Sequence, residues 1–424
     1  DRVDYERWVG EWGCVGWGPD DLAPWLERTR ADQPTVQIAP GPVSAALAEA
    51  AANDGLPVGG SSLDPGRLGV LSAVLSADDG RRWSAADAHF DGDGDGDGDG
   101  HDGGGQPDRA LAVRQLLERR LSVVTGCAVR RVEADAVPGG HRVHLGTGAT
   151  VEAPLVVLAA GALGSPALLL ASGLTGRPVG RTLVDHPSFS FTLVLRPEVG
   201  RRPERSEDPA VVTTMVRWSS GPEWPGDLQA IAIDRVANPG AAEQHLAVLA
   251  VGLMAVTSRG SVHRADDVAP SAPGAGRSGW PPRLDVVTGA LDRAEDRRRL
   301  RHGVRQVGRW LRSGPFDGLV SEVHLDDAGR PLADLDRLSD DELDRVLAAR
   351  PGPYAHPAGT CPLGRADGAD AVTAIEPGRR GEIIDRPGIR VADSSVFPDL
   401  VRGGLQLPVG AVAARIAEDI VAGS

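Results

Sequence analysis

The sequence predicts an α/β fold of two domains built from interleaved chain segments, and three observations predict it. Residues 155–174 (LVVLAAGALGSPALLLASGL) read as a buried strand, a tight Gly-rich turn and a short helix opened by Ser165-Pro166. Residues 188–256 alternate apolar and polar positions, as antiparallel strands with one covered face do. Residues 350–424 then return to strand, loop and helix.

The elements follow in order. An Ala-rich helix is expected over 43–53 and a short one over 84–90. Residues 91–105, DGDGDGDGDGHDGGG, are glycines and mutually repelling carboxylates that cannot bury a core, so a mobile loop is expected there. A helix over 109–120 precedes short strands over 121–124, 128–132, 142–145 and 151–158. After the antiparallel region comes a Pro/Gly/Ser-rich loop (269–282), a basic amphipathic helix (292–311) and a closing helix (409–421). The domains drawn from this pattern are an N-terminal bridging segment (1–104), a first part of one domain (105–187), a second domain (188–349) and the remainder of the first (350–424).

Composition narrows the function. The 424 residues carry 45 Lys+Arg against 59 Asp+Glu, a net charge of −14, which argues against a nucleic-acid partner. All 45 basic residues are arginines. Cys14, Cys127 and Cys361 are odd in number, far apart and without CxxC spacing, so neither a disulfide framework nor a zinc knuckle is expected, and a cytoplasmic setting fits. The apolar run 155–174 has the length of a membrane span, but its three glycines, proline and two serines read better as strand, turn and helix.

Two motif matches are decoys. Gly98 to Gly103 spells GxGxxG, but it sits inside a repeat that generates such spacings by chance, and the motif works only where a strand precedes it and a helix N-terminus follows directly to meet the pyrophosphate. Asp91, Asp93, Asp95, Gly96 and Asp102 approach a calcium loop, but an Asp replaces the bidentate Glu and flanking helices are unconvincing; no metal site is expected.

The chemistry concentrates in YAHPAGTCPLG (354–364) and IRVADSSVFP (389–398). These resemble the C-terminal signature of the glucose–methanol–choline (GMC) flavoprotein oxidoreductases, a HPxGTCxMG stretch followed by LRVxDxSxMP. Upstream, GALGSPALLLASG (161–173) is similar to the family's second signature and VGRTLVDHP (179–187) to its VGxNLxDHP. Weaker echoes (GRRWSAADA, SRGSV, PPRL, SDDELDRVL) extend the likeness over nearly the whole chain. The resemblance implies a GMC fold, an FAD-binding Rossmann-like domain interleaved with an antiparallel substrate-binding domain. It also implies oxidation of an alcohol CH–OH group.

Such a reaction needs a base beside the O–H and an electron sink facing the C–H, and histidine titrates near neutrality. By resemblance, His356 takes the hydroxyl proton while hydride passes to flavin N5. Asp393 is then expected near the ribityl and pyrophosphate, Val129 near the adenine, and Gly161 and Ser165 in the turn closing on the cofactor. Asp185 and His186 would hold a loop near the flavin, or form a self-bonded Asp-His-Pro turn.

Two departures qualify the likeness. The family's N-terminal strand–GxGxxG–helix is absent, so the sequence reads as a truncation, a mis-called start or a broken gene. Trp8, Trp12, Trp17 and Trp25 then either line a surface meant for absent residues or make a local core. Further, the family's His or Asn after the SxMP turn aligns with Gly404, with Gln406 or Arg402 as substitutes within reach. The expected partners are a small-molecule alcohol and a separate electron acceptor. Alternative readings are a mycofactocin-associated GMC dehydrogenase and a non-catalytic remnant without flavin.

Overall fold

The computed structural model of the protein describes residues 1–78, 81–89, 121–174, 176–200, 212–236, 245–264, 283–326 and 329–423. The Asp/Gly tract with both decoy motifs, the helix expected over 109–120 and the loop expected over 269–282 lie outside these residues.

Asp1 caps α1 (Arg2–Gly10), its carboxylate accepting from the Val3 amide. Pro19 and Pro42 open α2 (Pro19–Ala31) and α3 (Pro42–Asn53), where a missing N–H leaves no bond unmade. Strands β1 (Val58–Ser61) and β2 (Gly69–Ser72) follow. The strand expected over 121–124 does not form, because Leu121, Val123 and Val124 find no core and stay exposed. Next comes an antiparallel meander of β3 (Val129–Val137), β4 (Gly140–Leu145) and β5 (Thr150–Ala153).

The strand expected over 151–158 divides at Pro154, which has no N–H to give a ladder. β6 (Val156–Leu158) belongs instead to another sheet, parallel to a strand formed by residues 389–391. Helix α4 (Gly161–Ser172) starts a turn before the expected Ser165-Pro166, so Pro166 lies inside it. The proline frees the Ala162 carbonyl, and Thr360 Oγ1 donates to that carbonyl at 2.8 Å.

The antiparallel region becomes β7 (Pro187–Leu195), β8 (Thr214–Trp218), β9 (Leu228–Val236) and β10 (Leu246–Leu253). With β11 (Val320–His324) they form one sheet in the order β11-β7-β10-β9-β8-β2-β1, parallel only at β1–β2. Its residues on one face, among them Phe189, Phe191, Val216, Leu228 and Leu249, pack under α3 and α5 (Ala294–Trp310) in the larger core. α5 presents Leu300, Val304, Val307 and Trp310 to that sheet, the apolar stripe of the expected amphipathic helix. α6 (Asp340–Ala349) opens on a Ser339/Glu342 capping box.

β12 (Ile389–Val391) completes the parallel pair with β6, and α7 (Gln406–Ala422) closes the chain, starting three residues earlier than expected. These pack in a second core with α1 and α2. Trp8 and Trp17 are 0% exposed there, their indole N–H groups donating to the Asp399 and Ile375 carbonyls at 3.0 and 3.2 Å. Trp12 and Trp25 lie partly buried against the same core, so the four tryptophans make no open patch. No helix among the described residues is long and apolar enough to cross a membrane, and no His/Cys/Asp/Glu cluster there has the form of a metal site.

Candidate active site

Two distant segments run antiparallel to build the site. Val184 and Ala358 exchange both backbone hydrogen bonds, at 3.1 and 2.9 Å, the Tyr354 amide donates to the His186 carbonyl at 3.2 Å, and Ser188 pairs with Gly352. Four residue steps from Tyr354 to Ala358 thus face two from Val184 to His186. The surplus bulges out, with Ala355 at φ +62°. His356 sits in this bulge and turns toward His186. The Asp185 carboxylate fastens both, accepting from the His186 amide at 2.7 Å and the His356 amide at 2.9 Å.

The two imidazoles meet at Nδ1, 3.0 Å apart. His186 Nε2 lies 3.1 Å from the Met254 carbonyl, which only accepts, so this nitrogen carries the proton. Burial, with the neighbouring His356 as a lesser cause, pushes His186 down to about 3 and keeps it neutral. Its Nδ1 is therefore a bare acceptor, and His356 Nδ1–H donates to it. His356 Nε2 is left with a free lone pair. Burial also lowers His356 from its ordinary value.

The depressed His186 has a consequence for stability. Below pH 6.5 the unfolded chain binds a proton that the folded chain refuses until about pH 3, so stability present at neutral pH is lost as pH falls through that window. We expect the unfolding free energy to drop by up to about 1.4 kcal/mol per pH unit there from this group alone. Urea titrations at pH 7, 6, 5 and 4 check this, and His186→Asn should flatten the slope.

The second cluster is the turn into α4. Asp393 Oδ2 accepts from the Gly161 amide at 2.9 Å and from the Ser165 hydroxyl, and Oδ1 accepts from the Ser395 amide at 2.8 Å. Ser165 in turn accepts from the Ala160 amide at 3.1 Å. A carboxylate at a helix N-terminus is favoured by the helix dipole. The structure thus brings Gly161, Ser165 and Asp393 together at the carboxyl ends of the parallel pair β6 and β12, the edge where open α/β sheets receive ligands. Gly161 has φ +76° and a Cβ there would meet nothing within 4 Å.

The other expected positions lie outside these two clusters. Val129 opens β3 opposite Leu145, partly buried on the second core. Gly404 is exposed, and a Cβ there meets nothing within 4 Å. Gln406 is exposed with its amide on Gln33 Oε1 at 2.9 Å, so the structure engages it there and not with the histidines. Arg402 is committed to the Pro225 carbonyl and Asp4.

Two sequence profiles, both of the GMC oxidoreductase family, match residues 105–188 and 257–413, together more than half of the chain. The chain belongs to the GMC oxidoreductase family. This family's cofactor is FAD. An oxygen-dependent choline dehydrogenase of Rhizobium johnstonii is 26% identical over 465 residues, covering 96% of this chain and 75% of that protein. One of Brucella canis is 25% identical over 476 residues, covering 99% and 78%. Among solved structures, pyridoxine 4-oxidase from Mesorbium loti superposes with TM-score 0.74 at 25% identity, covering 99% of this chain and 81% of that one. A fungal aryl-alcohol oxidase, 16% identical, shares the fold with TM-score 0.70 over 100% of this GMC chain and 83% of its own.

The motifs gave no role to Tyr354, whose ring lies 5.3 Å from that of His356, to Gln229, which donates to its hydroxyl, or to Arg217, which pairs with Gln229. For Gln229 and Arg217 the available signal was a polar residue at an off-phase position of a buried strand.

Proposed function

We propose that this GMC oxidoreductase oxidises the CH–OH group of a small alcohol, with His356 as the proton acceptor. The observation that carries the reading is the His186–His356 contact, which leaves one nitrogen of His356 unprotonated and free. The substrate hydroxyl donates its hydrogen bond to Nε2, and the proton moves to that atom as the C–H bond breaks. His356 then holds two protons, and its Nδ1–H bond to the neutral His186 strengthens as the ring becomes cationic. His186 fixes ring and tautomer from behind, the part a carboxylate plays in a hydrolase triad.

FAD, when bound, supplies the sink for the two electrons leaving the substrate carbon. Within this chain, Gly161 and the turn clamped by Ser165 and Asp393 give it an approach, since no side chain blocks Gly161. Asp393 there orders the turn, and Val129 would flank the nucleotide. The relatives named for choline, pyridoxine and aryl alcohols support an alcohol as the donor.

The test is anaerobic mixing of the FAD-loaded protein with choline, benzyl alcohol and pyridoxine while the oxidised-flavin absorbance is followed. Bleaching is expected with at least one alcohol. Because burial lowers His356, the acid limb of kcat/KM should fall below pH 6.5. A limb well above 7 would exclude His356 as the base.

A further inference from the structure

The face of the large sheet turned away from α3 and α5 carries one transverse row. Arg217 on β8 pairs with Gln229 on β9, Gln229 with Gly252 on β10, and Gly252 with Ser188 on β7, so all four project from the same side. Gly252 leaves room for Tyr354, since a Cβ there would come within 2.6 Å of the Tyr354 ring. The Tyr354 ring centre is 5.3 Å from that of His356. Two strand spacings, about 10 Å, separate the Arg217 backbone from that of Gly252.

Arg217 is 8% exposed, yet among the described residues no carboxylate lies within ion-pair distance of it. Its hydrogen bonds are long or soft: Nε to Gln229 Oε1 at 3.4 Å, Nη2 to the Ser62 carbonyl at 3.5 Å and Nη2 to Met215 Sδ at 3.4 Å. Burial holds its guanidinium below the ordinary value. Its nearest acidic influence, the buried Asp4 carboxylate, acts on it only from beyond ion-pair distance and is itself paired with Arg402. A buried cation without a counter-ion in contact is expensive to keep, and the expense falls when an anion arrives. Nη2 stands 3.7 Å from the point a Gly403 Cβ would occupy. Gln229 Nε2 donates to the Tyr354 hydroxyl at 2.8 Å, which leaves the phenol hydrogen free to donate onward. Burial pushes this phenol up to about 12, so it stays protonated.

We infer that Arg217 and the Tyr354 hydroxyl receive the carboxylate of the alcohol substrate, so that the enzyme oxidises a hydroxy acid and not a quaternary-ammonium alcohol. One guanidinium and one hydroxyl suit a monoanion better than a dianionic phosphate. The same buried charge repels choline. The inference rests on His356 as the base, which sets where the CH–OH end lies.

The FAD-loaded protein is given 4-(hydroxymethyl)benzoate, its neutral analogue 4-methylbenzyl alcohol, and choline, and anaerobic flavin reduction is measured. Independently of turnover, calorimetry measures the Kd of the unreactive 4-methylbenzoate. The carboxylate is expected to exceed the neutral alcohol in kcat/KM by on the order of tenfold or more, with choline last. Arg217→Gln should bring that ratio toward one and weaken 4-methylbenzoate by a similar factor, with Arg217→Lys between. Equal rates for the two aromatic alcohols, choline as the best substrate, or an unchanged Kd in Arg217→Gln would overturn the inference. If Arg217→Gln does not fold, the wild-type ranking decides alone. Alcohol oxidation that depends on His356 without charge preference removes this inference and leaves the reaction. Arg217-dependent binding of 4-methylbenzoate with no reduction by any alcohol removes the reaction and leaves the anion site.

Discussion

Replacing His356 with alanine is expected to slow anaerobic flavin reduction by about a thousandfold, within the 10²–10⁴ range of a positioned acid–base group. The carbon cannot release its electrons readily while the hydroxyl keeps its proton, and His356 Nε2 is the one imidazole nitrogen of the pair without a hydrogen-bonded neighbour among the described residues. His186 does not take over, because its Nε2 is tied to Met254 and burial holds it neutral. Flavin content should stay at the wild-type level, since His356 is on the bulge and not in the Asp393 turn. Rapid mixing with the best alcohol gives the rate, and the visible spectrum gives the flavin. An undiminished rate would remove His356 from the reaction.

The largest stability effect is expected at Arg299. Its guanidinium is fully buried in α5, pairs with Asp296 and Asp227, donates to the Ala255 carbonyl at 2.7 Å and lies 3.7 Å over the Trp224 ring. Asp296 in turn accepts from the Thr257 and Ser258 amides. Arg299→Ala leaves two buried carboxylates uncompensated, which costs about 3 to 5 kcal/mol. The loss is read as a lower urea midpoint with unchanged slope. The damage also reaches the site. The Asp227 carbonyl accepts from the Met254 amide at 2.7 Å, and Met254 is the residue whose carbonyl fixes the His186 tautomer. Flavin reduction should therefore slow even under conditions where the variant is folded.

The motif residues were legible because their spacing is local. HPAGTC and VADSSVFP each carry several fixed letters, and the structure gives some of them plain duties, as with Thr360 on the carbonyl freed by Pro166. The alternation of β7 to β10 also gave away an antiparallel sheet with one covered face. What could not be read is what depends on pairing between distant segments. That His186 backs His356 follows from a ribbon whose strands are 170 residues apart, and that Arg217 shares a row with Gly252 follows from registers across three strands. The strand expected over 151–158 failed for a local reason, a proline between two runs of β-formers that read as one. Gln406 was chosen by proximity in sequence, whereas its side chain turns to Gln33 on the far side of the chain.

The indole of Trp8 donates to a carbonyl 391 residues further on. A ribosome adding about 5 to 20 residues per second makes α1 wait roughly 20 to 80 s before that acceptor exists. During this time Trp8 and Trp17 lack the part of their core that residues 358–416 supply, and β6 lacks its parallel partner until residue 391 is made. The large sheet, by contrast, needs nothing beyond residue 353 and has the chance to fold while the rest is still being made. Birth order therefore divides the molecule differently from space: the histidine pair closes when residue 356 emerges, and the core beneath it only once Ile416 has followed. A chain stopped shortly before Ile389 would carry both histidines and an unfinished half, exposed to aggregation and to the cell's proteases.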